Sequence, residues 1–160
     1  MSKNVVIVGG HGNVCIPLNF FYQVGNYIDR PFHQVSLRLA KLIGPSNSVK
    51  SIIRTEAHIP DIKAASAHPL LLSLEDAPVA DFTRVFEGVD VVYFSAGAGG
   101  KGGPERTKKV DYEGAVKVFD AIEGVEGKKP RLILVSAVDV RDPNGKVPEH
   151  YVSAIGMTEG

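Results

Sequence analysis

The apolar positions of the chain fall into short unbroken runs separated by stretches with helical spacing. Asn4-Val-Val-Ile-Val8 has no polar alternation, the pattern of a strand buried on both faces, and it runs straight into Gly9-Gly10-His11-Gly12. Ser48–Arg54, Pro69–Leu74, Asp90–Ser95 and Lys129–Ser136 read as four further strands. Between them, Val79, Phe82, Val85 and Phe86 form a helical stripe closed by Gly88, Ile59–Ala67 forms a weaker helix, and Pro104 opens a helix that runs to Ile122. Val35, Leu39, Leu42 and Ile43 share a fourth stripe, stopped by Gly44-Pro45. Residues 14–34 have neither period 2 nor period 3.6; they are rich in aromatics and broken by Pro17 and Pro31. Strands alternating with helices predict an α/β fold with a doubly wound parallel sheet of order 3-2-1-4-5, a single domain over residues 1–160 whose ligands bind at the carboxyl ends of the strands.

The glycine cluster after the first strand points to phosphate. Glycine takes φ > 0 and lets another group approach the backbone, and a helix starting beyond it offers free N–H groups and a positive dipole end to an anion. Gly9, Gly10, His11, Gly12 and Asn13 are therefore candidate contacts for the pyrophosphate of a dinucleotide. Arg54, directly after the second strand, stands where a nucleotide's ribose 2′ position lies. A carboxylate there favours NAD, whereas Arg favours the 2′-phosphate of NADP; the bland alternative is a solvated strand-end Arg. Leu74 and Glu75 follow the third strand as an adenine wall, with a solvated loop carboxylate as the alternative for Glu75. Ser95, Ala96 and Gly97 end the fourth strand over the expected pyrophosphate and nicotinamide, unless Gly97–Gly103 is no more than a flexible loop. A P-loop aligned on Gly100-Lys101 needs Gly at 95 and Ser or Thr at 102, and the chain has Ser95 and Gly102; with two of four fixed positions failing, the pattern argues against an ATP or GTP loop.

Composition narrows the partners. The 160 residues, 44% hydrophobic and 22% charged, suffice for one α/β core, and 18 acidic residues balance 18 basic ones without a Lys/Arg run. Nucleic acid and anionic membrane are poor partners for such a surface. No apolar run reaches the roughly 18 residues of a membrane span, and no charged-then-apolar leader is visible, so a cytoplasmic protein is expected. A lone Cys15 excludes an internal disulfide, and five scattered histidines lack metal-ligand spacing.

Taken together, Val6–Gly12, Ser51–Arg54, Phe94–Pro104, Val110-Asp-Tyr-Glu-Gly114 and Leu134–Asp142 resemble the atypical short-chain dehydrogenase/reductase family, close to its NmrA-like members, over residues 4–13 and 35–150. The resemblance implies a Rossmann fold, NADP or NAD as cofactor, and an oxidoreductase or redox-sensing role, the latter with a protein partner. It also implies Ser136, at the end of the fifth strand, as a site residue, although a strand-end Ser bonded to backbone is an equal reading. The Tyr-x-x-x-Lys with which classical members move a proton is missing: four residues after Tyr22, Tyr27, Tyr93, Tyr112 and Tyr151 stand Asn26, Pro31, Gly97, Val116 and Ile155. No catalytic residue is assigned. Removing 14–34 restores a continuous strand-turn-helix with Gly-x-x-Gly-x-x-Ser, and Val14-Cys15 and Gln34 are encodable as intron borders; residues 152–160 begin with a similar signature and lack family pattern. The stretch is thus expected to be a retained intron or else a native lid or partner-binding insert, and sequencing the transcript separates the intron from the native segment. Three classes stay open: an NADP-dependent oxidoreductase in full-length form, a non-catalytic NADP(H) sensor, and an inactive mis-spliced product that binds dinucleotide weakly.

Overall fold

A computed structural model describes residues 2–9, 47–98 and 102–135. The expected helix over 35–44, the stretch 14–34, residues 10–13, Ser136 and the tail 152–160 lie outside these described residues.

Five strands, β1 (Asn4–Val8), β2 (Ser48–Ile53), β3 (His68–Leu71), β4 (Val91–Phe94) and β5 (Arg131–Leu134), form one sheet of order β3-β2-β1-β4-β5, every pair parallel. This is the doubly wound order expected from the alternation of runs. The uninterrupted Val-Val-Ile-Val pattern has its reason in the sheet: β1 is central, and Val6, Ile7 and Val8 are 0% exposed. Successive side chains alternate between two cores. Val5 and Ile7 join Val49, Ile53, Ala67 and Ile62 of α1 (Ile59–Ala64) on one face. Val6 and Val8 join Ile52, Val92, Phe94, the helix α2 (Val79–Phe86) and Val118, Ala121 and Ile122 of α4 (Gly114–Glu123) on the other. Phe82 and Phe86, one helical turn apart on α2, anchor that second core with ring centroids 6.2 Å apart and planes tilted by 52°.

Register sets up the functional end. Val8 lies opposite Ile52 and Phe94, Ile53 opposite Leu71, and Phe94 opposite Leu134, so the strands stop nearly in line. The residues that follow, Gly9 level with Ser95 and, one position further along, Arg54 level with Leu72, therefore gather at the carboxyl end of the sheet. Backbone bonds extend the pairing by one residue: Ser95 N–H donates to Val8 O at 2.9 Å, and Leu72 N–H donates to Ile53 O at 2.9 Å.

Three elements differ from the expectation. Strand β3 ends at Leu71, three residues early, because residues 74–76 turn, with Ser73 Oγ donating to Asp76 Oδ2 at 2.7 Å across the turn. A 3₁₀ turn (Glu56–His58) precedes α1, which ends at Ala64. The helix expected from Pro104 to Ile122 is a composite of α3 (Gly103–Thr107), a π-helical stretch (Lys108–Glu113) and α4. No described helix is long and apolar enough to cross a membrane.

Candidate functional site

The carboxyl end of the sheet is built from bare backbone over β1 and β4 and from charge over β2 and β3. Gly9 closes β1 with φ +84°, and a Cβ placed on it would lie 2.5 Å from Ala96 Cα and 2.6 Å from Ala96 N. No side chain fits that contact, so the turn after β1 and the loop after β4 meet only because residue 9 is glycine. Ser95 is buried, and its hydroxyl donates to Val8 O at 3.3 Å, which ties the same two chain ends together. Beyond it, Ala96 is half-buried, Gly97 is exposed and Ala98 is buried. A carboxylate fixes their path: Asp111 Oδ1 accepts the N–H of Ala98 at 2.6 Å and lies 3.4 Å from where a Cβ on Gly97 would be.

Charge gathers on the other half. Glu75 Oε1 lies 3.8 Å from Arg54 Nη1 and 3.5 Å from Arg106 Nη2, so one carboxylate is bracketed by two guanidinium groups and the trio carries a net charge of +1. Leu74 is turned inward, packing on the second core and against Gly114, where a Cβ would sit 3.6 Å from Leu74 Cδ1. Its carbonyl, with that of Ala77, accepts Lys117 Nζ at 2.5 and 2.8 Å, which fastens the turn that carries Glu75.

The structure thus brings together Gly9 with Ser95 and Ala96, and Arg54 with Glu75. Gly10, His11, Gly12, Asn13 and Ser136 lie outside the described residues. Three residues that no motif marked also hold this end together: Arg106, Asp111 and Lys117, all on the composite helix. Asp111 falls within the Val110–Gly114 stretch of the resemblance, yet its role depends on the π turn. In an i→i+5 turn, residues five apart stack more closely than in an α-helix, and Arg106 and Asp111 both reach loops at the same end of the sheet. A helix assumed to be α throughout sets those two side chains on different faces.

At the opposite, amino end of the sheet, polar groups close on one another. Asp90 Oδ2 accepts the N–H of Asn4 at 3.1 Å, and its Oδ1 accepts Lys128 Nζ at 3.0 Å with Lys3 Nζ at 3.8 Å. The Asn4 N–H bond, then Lys128 and Lys3, hold the Asp90 carboxyl below its ordinary value of 3.8. A shallow concavity lined by Asn4, Ser48, Lys50, Glu87 and Gly88 opens at this end, away from the glycine turn and the arginines. Among the described residues no group of three or more His, Cys, Asp or Glu could hold a metal ion.

A parallel sheet of this order with a glycine turn after β1 defines a dinucleotide-binding domain of the Rossmann class. A sequence model of NAD(P)H-binding domains matches residues 34–157, and the chain belongs to that family. It is 36% identical over 151 residues, 93% of this chain and 52% of the relative, to a UPF0659 protein of Schizosaccharomyces pombe. It is 33% identical over 125 residues, 75% of this chain and 57% of the relative, to a Bacillus subtilis protein described as an uncharacterized sugar epimerase. The chain spans about half the length of these curated relatives. Among solved structures, a putative NAD-dependent epimerase/dehydratase of Bacillus halodurans superposes with TM-score 0.66 at 23% identity, over 97% of this chain and 60% of that one. A UDP-glucuronic acid 4-epimerase of Bacillus cereus, solved with NAD, superposes with TM-score 0.59 at 14% identity, over 92% of this chain and 44% of that one. At such identities these likenesses show the fold. The residues present fit a dinucleotide: small residues follow β1 and β4, with Gly97 exposed, and a cationic trio stands where β2 and β3 end.

Proposed function

We propose that this chain binds NADP(H) in preference to NAD(H) along the carboxyl end of its sheet, and that in full-length form it serves a cytoplasmic oxidoreductase of the atypical short-chain dehydrogenase/reductase type. The observation that carries the reading is the charge at the end of β2: Arg54 stands there, and the carboxylate that reaches it, Glu75, is outweighed by two guanidinium groups. An NAD site of this fold places a carboxylate on the ribose hydroxyls, and a net positive cluster suits a 2′-phosphate instead.

Bound NADP(H) would supply two-electron redox chemistry. The chain's own residues bind and orient it: Gly9 to Asn13 with Ala96 and Gly97 along the pyrophosphate, Arg54 at the 2′-phosphate, Leu74 and Glu75 at the adenine side, and Ser136 beside the nicotinamide. Ser95 contributes from beneath, through its hold on Val8 O. A second reading, a sensor that binds NADP(H) and reports it to a protein partner without turnover, is favoured by the absence of any Tyr-x-x-x-Lys in the sequence. The sugar-epimerase description of one relative fits the same cofactor and leaves the substrate open.

Titration with NADPH and NADH tests the preference. The unaltered chain is expected to bind NADPH more tightly, and Arg54→Ala to lose most of the difference, about 1.5–3 kcal/mol for a charge-assisted contact. Equal affinity for both cofactors before mutation would make Arg54 a solvated strand end. Turnover of NADPH with a carbonyl or quinone panel by the full-length form separates the oxidoreductase from the sensor. Repeating the titration without residues 14–34 distinguishes a retained intron, whose removal raises affinity, from a native loop, whose removal does not.

A further inference from the structure

Arg106 has no place in the site read from the sequence, yet it is the better fixed of the two arginines on Glu75. Its side chain is 28% exposed against 60% for Arg54. Two independent features hold it there. Gly102 and Gly103, at φ +91° and +74°, turn the chain into α3, and a Cβ on Gly102 would lie 2.5 Å from Arg106 Cδ, 3.2 Å from its Cβ and 3.4 Å from its Cγ. The stem of Arg106 therefore lies across the bare face of Gly102, a path open only while residue 102 has no side chain. The acceptor is fixed as well: the turn bearing Glu75 is pinned by Lys117 on the carbonyls of Leu74 and Ala77 and by the Ser73 to Asp76 bond.

Two guanidinium groups from different elements, Arg54 Nη1 at 3.8 Å and Arg106 Nη2 at 3.5 Å, converge on one carboxylate oxygen, so both reach a single anionic group at this end of the sheet. From this we infer that Arg106 is a second specificity determinant for the 2′-phosphate of the dinucleotide, acting across Glu75 from Arg54. The inference rests on the NADP reading above. It adds that discrimination comes from two elements, the end of β2 and the first turn after the glycine-rich loop, and that Gly102 is part of the determinant because it lets Arg106 reach the site. All the residues involved lie on β2, β3, α3 and their flanking turns, so the adenosine half can be tested apart from the pyrophosphate turn.

The experiment is calorimetric titration of the full chain with 2′,5′-ADP and with 5′-AMP, probes that differ only in the 2′-phosphate. The unaltered chain should prefer 2′,5′-ADP, and Arg106→Ala should cut that preference roughly ten- to a hundredfold, as loss of a charge-assisted contact does, while 5′-AMP affinity holds. Arg106→Lys should recover only part, because an ammonium lacks the planar fork. Gly102→Ala keeps the charge but displaces it, and should reproduce the loss; it also preserves the test where Arg106→Ala fails to fold. If Arg54→Ala removes the preference while Arg106→Ala and Gly102→Ala retain it, Arg106 is no determinant and the NADP reading stands. If the unaltered chain binds both probes equally, the NADP reading falls and this inference with it.

Discussion

The two ends of the sheet carry similar residue types and use them differently. At the amino end Lys3, Asn4, Asp90 and Lys128 meet in a closed set in which the carboxylate takes a backbone N–H and two ammonium groups. At the carboxyl end two guanidinium groups likewise share one carboxylate, but glycines and alanines replace larger side chains over β1 and β4, and no backbone N–H reaches the carboxylate among the described residues. An end whose carboxylate also ties down a backbone N–H contributes to stability. An end where guanidinium groups stand beside small residues and an exposed Gly97 suits an anionic ligand.

The sharpest way to break this contrast is Gly9→Ala. A Cβ cannot occupy a point 2.5 Å from Ala96 Cα, and φ +84° is unfavourable for any side chain, so the turn and the β4 loop must part. A loss of at least about 2 kcal/mol in urea unfolding is expected, with dinucleotide binding lost alongside. An unchanged unfolding midpoint would show that the two chain ends do not depend on each other.

Asp111→Ala comes next. It strips the N–H of Ala98 of its carboxylate at a cost of about 1–3 kcal/mol, and amide exchange over residues 96–98 should quicken while the amino end stays protected. Asp111→Asn keeps an acceptor oxygen and should restore most of the protection. Exchange that Asp111→Ala leaves unchanged would remove Asp111 from the site's support.

At the amino end the decisive variable is pH. The folded Asp90 carboxyl lies below its ordinary 3.8, so its contribution is fully present above 3.8 and fades as pH falls through the lower folded value. Asp90→Asn should lower stability at neutral pH by an amount that shrinks below pH 3.8, without altering dinucleotide affinity. A stability gap between the two proteins that persists into stronger acid would show that the carboxylate's charge is not what stabilises this end.

The smallest effect is expected midway between the ends. Ser51 Oγ is buried in β2 and has no hydrogen-bond partner among the described residues, so Ser51→Ala should be neutral or raise stability by about 1 kcal/mol. A clear loss on thermal unfolding would mean the hydroxyl has an undetected partner.

The sequence by itself determined whatever depends on near neighbours. The branched runs at 4–8 and 90–94 read as buried parallel strands, the spacing of Val79, Phe82, Val85 and Phe86 as one face of a helix, and their alternation as a doubly wound sheet. Gly9 and Arg54 were legible because strand ends are local features and the fold gathers them at one end of the sheet. The tertiary structure decided the rest. Whether the Ser95 hydroxyl turns to Val8 O, whether strand three stops at Leu71, and which cation reaches Glu75 depend on distances between segments tens of residues apart. Arg106 and Asp111 stayed hidden for a related reason. A π turn moves their directions relative to an α-helix, and such a turn is selected by what the helix packs against, which no periodicity within it records.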